Sequence, residues 1–320
     1  MKSHYNRKIF SWILILGGLG WIFHLLKNHS TDPQLFLPTS WGWFVSATLF
    51  TTSSIALNGV IFYLFLQPDG KKLYSLRHAL KSYYFAQLLR YLPGRFWGIV
   101  YQINASQGYI PAHRLTRANL DFMIFSLIAS GFVSILIIAN QYSWPPHYRI
   151  GILVIGIVLI GGALLGGINR ILSTCKRLFR IRNHRFYTFF NMLAEEKISP
   201  PQLLKAGFLF LLSWALYLCG WALLENVYPQ FSEADFIALC AFYSLASIMG
   251  VLSAITPAGM GVREAIFLLL ALNSQPPEVV AFFALFGRLW LIIIDLALLL
   301  IPVVILVFER FSANDETSNS

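Results

Sequence analysis

The residues that could do chemistry in this chain are few, and they sit in two apolar stretches. The first stretch, residues 82–108, carries Arg90, Pro93, Gly94 and Arg95 at its centre. The second, residues 236–272, is broken at Pro257, Gly259 and Gly261, and Arg263 and Glu264 follow directly. A further pair, Arg288 and Asp295, stands seven residues apart in the last apolar run, on one helical face. Proline removes a backbone donor and glycine loosens the chain, so both stretches are expected to interrupt a helix. A helix that restarts after such a break presents bare N–H groups and a positive dipole end. With arginines beside it, that end suits a phosphate held at membrane depth. Arg263 and Glu264 could form a structural pair, but neighbours stand about 100° apart on a helix, so a separate partner for each is the expectation. Arg288 is the expected partner of Glu264, and Asp295 that of Arg263.

Other chemistries find no support. There is no G-x-x-x-x-G-K-[ST] phosphate loop and no H-E-x-x-H pair, and the histidines are scattered. The three cysteines, Cys175, Cys219 and Cys240, make neither a disulfide framework nor a metal spacing. The first outer loop offers only Asp32 to a metal and a sugar phosphate, so no metal, no cofactor and no enzyme activity are expected.

The elements that must position these residues follow from composition. Of 320 residues, 57% are hydrophobic and 12% charged, with mean hydropathy +0.64. A soluble chain carries about 25% charged residues. Residues 33–68, 122–148, 150–169, 206–224 and 236–262 contain no charged side chain. A spanning helix needs roughly 20 apolar residues, so the chain is expected to be an all-α polytopic membrane protein. The runs lack the period-two alternation of a β-barrel strand. Spans are expected at about 9–26, 41–66, 121–141, 150–168, 206–224 and 280–308. The first follows Lys2, Arg7 and Lys8 like a signal peptide, but no small-x-small site follows it, so it is expected to be retained.

The net charge of +10 gathers on alternate loops and termini, which argues for topology and against nucleic acid. Loops 67–81, 109–120 and 169–205 are expected on the cytoplasmic side with the N-terminus. Loops 27–40, 141–149 and 225–235 are expected outside. The chain is therefore expected in the plasma membrane, the inner membrane of a bacterium. About six full spans leave the two broken stretches as re-entrant helical hairpins, with a single crossing by residues 236–272 as the alternative. If they enter from opposite faces, they form an inverted repeat of the transporter kind. Residues 1–308 are expected to form a single domain, and 309–320 a polar, disordered tail.

YLPGRFWG at 91–98 and TPAGMGVREA at 256–265, with Arg288, resemble the lysylphosphatidylglycerol synthase transmembrane-region family, also called the flippase-like domain family. The resemblance covers about residues 8–308. It implies roles for Pro93, Gly94, Pro257, Gly259, Gly261, Arg263, Glu264 and Arg288. It also implies a stand-alone member without the synthase domain, moving an anionic or aminoacylated phospholipid, or a polyprenyl-phosphate or glycolipid, between leaflets. The expected partner is a membrane lipid with an anionic headgroup. The alternative is a non-transporting subunit that docks an envelope-synthesis enzyme through the basic segment 169–205, which holds eight Lys or Arg.

Overall fold

The computed structural model describes residues 37–67, 74–89, 97–106, 109–142, 144–162, 199–253, 259 and 261–307. The expected first span, the basic segment 169–198, the break at 90–96 and the tail lie outside them. The described elements are helices: α1 Trp41–Leu66, α2 Leu76–Leu88, α3 Trp97–Ala105, α4 Ala112–Gln141, α5 Pro146–Gly162, α6 Pro200–Val227, α7 Phe236–Ser253, α8 Val262–Ala271 and α9 Pro277–Leu298. A 3-10 turn, Pro229–Phe231, precedes α7, and α9 continues helically to Val307. Five of these helices, α1, α4, α6, α7 and the extended α9, are long and apolar enough to cross a bilayer.

The central contact is the antiparallel pair α1 and α6. Small residues let the two backbones approach. A Cβ on Gly220 of α6 would overlap Thr51 and come within 3.0 Å of the Ala47 carbonyl. Further along the pair, the Ser54 and Ser213 hydroxyls lie 3.0 Å apart, and Ser213 donates to the Ser54 carbonyl at 2.9 Å. In lipid there is no water to drive helices together, so close van der Waals packing and such interhelical bonds do that work. The ends are tied as well. Thr39 donates to the Val227 carbonyl through its amide and its hydroxyl, at 3.2 and 2.7 Å. At the other end the final carbonyls of α1 would be orphaned. Arg114 donates to Leu66 at 2.7 Å and Phe65 at 3.2 Å, and Gln202 donates to Gln67 at 2.9 Å.

That cap corrects the expected loop 109–120. From Ala112 the chain is already α4, and Arg114 and Arg117 are buried rather than solvated. Arg114 neutralises the negative end of α1. Arg117 pairs with Asp121 one turn on, at 2.7 Å. The two charges looked like loop signals because their partners are a distant backbone and the carboxylate at the next turn.

Both broken stretches are hairpins. In the first, α2 and α3 pack side by side. A Cβ on Gly98 would sit 2.9 Å from the Ala86 carbonyl near the tip, and the His78 and Tyr109 rings stack at 5.5 Å across the mouth. In the second, α7 is long enough to cross, yet α8 returns along it. Gly250 and Gly259 touch at the tip, and the Asp235 amide donates to Gln275 at 3.1 Å across the mouth. Both ends of this stretch are therefore on one face. The first hairpin leaves from the Gln67 end of α1, and the second from the Val227 end of α6. Because α1 and α6 are antiparallel and each roughly 40 Å long at 1.5 Å per residue, the hairpins enter from opposite faces.

Apart from α5, which follows α4, the described connectivity repeats with inverted direction: span α1, hairpin α2–α3, span α4, and later span α6, hairpin α7–α8, span α9. Each hairpin also packs on the other half, α7 on α4 and α2 on α9. On the Val227 side a buried aromatic cluster of Trp221, Tyr228, Phe282, Phe283, Phe286 and Trp290 fixes α9 against α6. Just beyond α6, burial pushes the Tyr228 phenol above its ordinary pKa, so it stays neutral.

Candidate anion site at the second hairpin

The site is built from the turn that joins α7 to α8. Gly259 has φ +70° and Gly261 φ +81°, a region where L side chains are strained. Gly259 has a second reason to lack a side chain, since its Cβ would lie 2.9 Å from the Gly250 backbone. These two glycines lead into α8 at Val262, with Gly259 set against Gly250 of α7. Arg263 and Glu264 therefore fall in the first turn of α8, buried at the hairpin tip.

Glu264 is the hub. Its Oε2 accepts the Gly261 amide at 2.7 Å, which caps the helix start. Its Oε1 accepts from Arg263 Nη2 at 3.0 Å and Nε at 3.3 Å. Arg288 Nη1, from α9, approaches the same oxygen at 3.9 Å. That is an ion contact rather than a hydrogen bond. The face of Tyr243, on α7, lies 4.9 Å from the Arg263 guanidinium carbon. This cation–π contact is worth on the order of 2 kcal/mol when desolvated. Gly287 admits the arrangement, because a Cβ there would meet the Tyr243 ring at 2.9 Å. The missing side chain brings α9 close to α7 and carries Arg288 to the site.

Four of the expected site residues are thus brought together: Gly261, Arg263, Glu264 and Arg288. Gly259 shapes their turn. Asp295 is buried two turns beyond Arg288 on α9. Arg90, Pro93, Gly94, Arg95 and Pro257 lie outside the described residues. Two expectations are corrected. The Gly261 amide is not bare, because the protein's own carboxylate takes it. Arg263 also binds its immediate neighbour, a contact that the helical spacing argued against. Side chains in a helix lean toward its N-terminus. Glu264 leans back to cap Gly261, and this brings Oε1 over the first turn within reach of Arg263. Tyr243, Gly250 and Gly287 were not singled out in the sequence. They look like ordinary span residues, and only the hairpin pairing reveals their place.

Among the described residues no group of His, Cys, Asp and Glu could hold a metal ion. What the cluster can do is hold negative charge: two forked cations from two helices converge on one oxygen beside a helix N-terminus.

The profile of the lysylphosphatidylglycerol synthase TM region matches residues 9–299. No curated protein and no solved structure matches the chain. The match takes in both hairpins and the Arg263, Glu264 and Arg288 cluster, and the helices around them are those of an integral membrane protein: the chain belongs to the lysylphosphatidylglycerol synthase TM-region family.

Proposed function

We propose that the protein is a non-catalytic lipid translocator of the plasma membrane that binds an anionic lipid headgroup at the tip of the second hairpin. The observation that carries this reading is the convergence of Arg263 and Arg288 on the Glu264 carboxylate oxygen inside an apolar bundle. Ionised groups at membrane depth are costly, so they are kept where they serve a path or a ligand. The arrangement of two inverted hairpins supports the reading, because broken helices that interrupt a bilayer need a cavity or protein to satisfy their backbone. The headgroup phosphate would engage the guanidiniums while the acyl chains stay in lipid.

Reconstitution in vesicles with a fluorescent anionic phospholipid tests it. The wild-type chain should move label between leaflets, and Arg288→Ala should slow this at least about tenfold by removing a charge-assisted contact of 1.5–3 kcal/mol. No leaflet exchange above empty vesicles would favour instead a subunit that docks a synthesis enzyme through its basic segment.

A further inference from the structure

Glu264 occupies the position an anionic ligand would take. Capping α8 uses only its Oε2, on the Gly261 amide. Its Oε1 is spent on the two guanidiniums, one within hydrogen-bond distance and one at 3.9 Å. A phosphate oxygen asks for the same donors. On the reading of this cluster as the headgroup site, we propose that Glu264 is an internal anion that holds the arginine pair between ligands and yields it to an arriving phosphate. The carboxylate pivots about its bond to Gly261, so α8 stays capped while Oε1 leaves. Arg288, the more distant contact, is surrendered first, and Arg263 stays over Tyr243 throughout. The exchange has a physical purpose. A buried and a nearly buried guanidinium side by side would destabilise an empty site, and an exchangeable carboxylate offsets one of the two charges until the phosphate arrives.

The test is Glu264→Gln. It keeps the size of the side chain and an oxygen for the Gly261 amide but removes the charge. Binding is measured by calorimetry on the full chain in detergent, with inorganic phosphate in one arm and a short-chain phosphatidylglycerol in the other. E264Q should bind about tenfold tighter than wild type, one lost competing contact at tenfold per 1.4 kcal/mol. Tightening with phosphatidylglycerol identifies a lipid headgroup as the ligand. Tightening with inorganic phosphate alone supports the same exchange for a free anion. Equal or weaker binding by folded E264Q, where wild type binds, overturns the proposal and leaves Glu264 as scaffold with the headgroup reading intact. Failure of both proteins to bind either probe overturns both readings. If E264Q does not fold, Glu264→Asp keeps the charge on a shorter arm and should also bind tighter. Infrared difference spectra of wild type on adding phosphate should show a shifted carboxylate stretch. An unshifted spectrum with bound phosphate would overturn the proposal.

Discussion

The two hairpins share a plan, and they can be compared at the mouth, at the close approach of the arms and in the described polar contacts. Each has a mouth closed by a cross-arm contact, His78 on Tyr109 in one and Asp235 on Gln275 in the other. Each has arms brought close by a glycine, Gly98 against Ala86 and Gly259 against Gly250. In the first, the described polar contacts lie on its flank. Asn119 of α4 donates to Gln102 of α3 at 2.6 Å, and Arg117 pairs with Asp121 along α4. In the second, charge lies at the tip, in a carboxylate shared by two arginines. Neutral polar contacts on a flank fasten a hairpin to its neighbours. A charged tip must be satisfied every moment it is buried, which makes it a place for a ligand.

The largest effect should come from breaking the second tip. Gly259→Ala meets both a left-handed φ and backbone at 2.9 Å, so it should destabilise by about 2–4 kcal/mol, read as a lower melting temperature in detergent. Gly98→Ala meets the Ala86 carbonyl at the same distance from a helical backbone. Without the φ penalty it should cost about 1–3 kcal/mol. If the two substitutions cost the same, the second turn is less constrained than its geometry says.

Removing the cap on α1 comes next. Arg114→Met keeps much of the packing but leaves the Leu66 and Phe65 carbonyls without their donor, and it should cost about 1–3 kcal/mol. Chemical denaturation of the purified chain checks it, and an unchanged midpoint would mean that water replaces the cap.

The smallest effect should be Asn119→Leu on the first hairpin's flank. An interhelical hydrogen bond in a membrane is worth roughly 0.6–1.7 kcal/mol. The variant should therefore fold with a slightly lowered melting temperature and keep its lipid exchange. Lost exchange in a folded N119L protein would move function toward the first hairpin.

The outline of this fold was legible because lipid imposes a simple rule: charge-free blocks become helices. Trp41–Leu66 begins and ends where the sequence analysis places it. The hairpins were legible from Pro and Gly inside apolar runs. The start of α4 was not, because Arg114 and Arg117 are satisfied by partners that only the fold supplies. The Arg263–Glu264 pair was the second choice, since the helical spacing rule describes a helix interior and these residues sit in a first turn where Glu264 leans back to cap. The contribution of Tyr243 needed the hairpin pairing, which leaves no local signal in α7.

The central claim is that the charged tip of the second hairpin handles the lipid. Lipid exchange per folded molecule should be measured for Arg263→Ala and Arg263→Lys beside wild type, with thermal stability in detergent. In the alanine variant Glu264 keeps Arg288 and the Gly261 amide, so stability should fall only modestly while exchange is lost. Lysine keeps the charge without the fork and should retain part of the exchange. Wild-type exchange by a stably folded R263A protein would contradict the account.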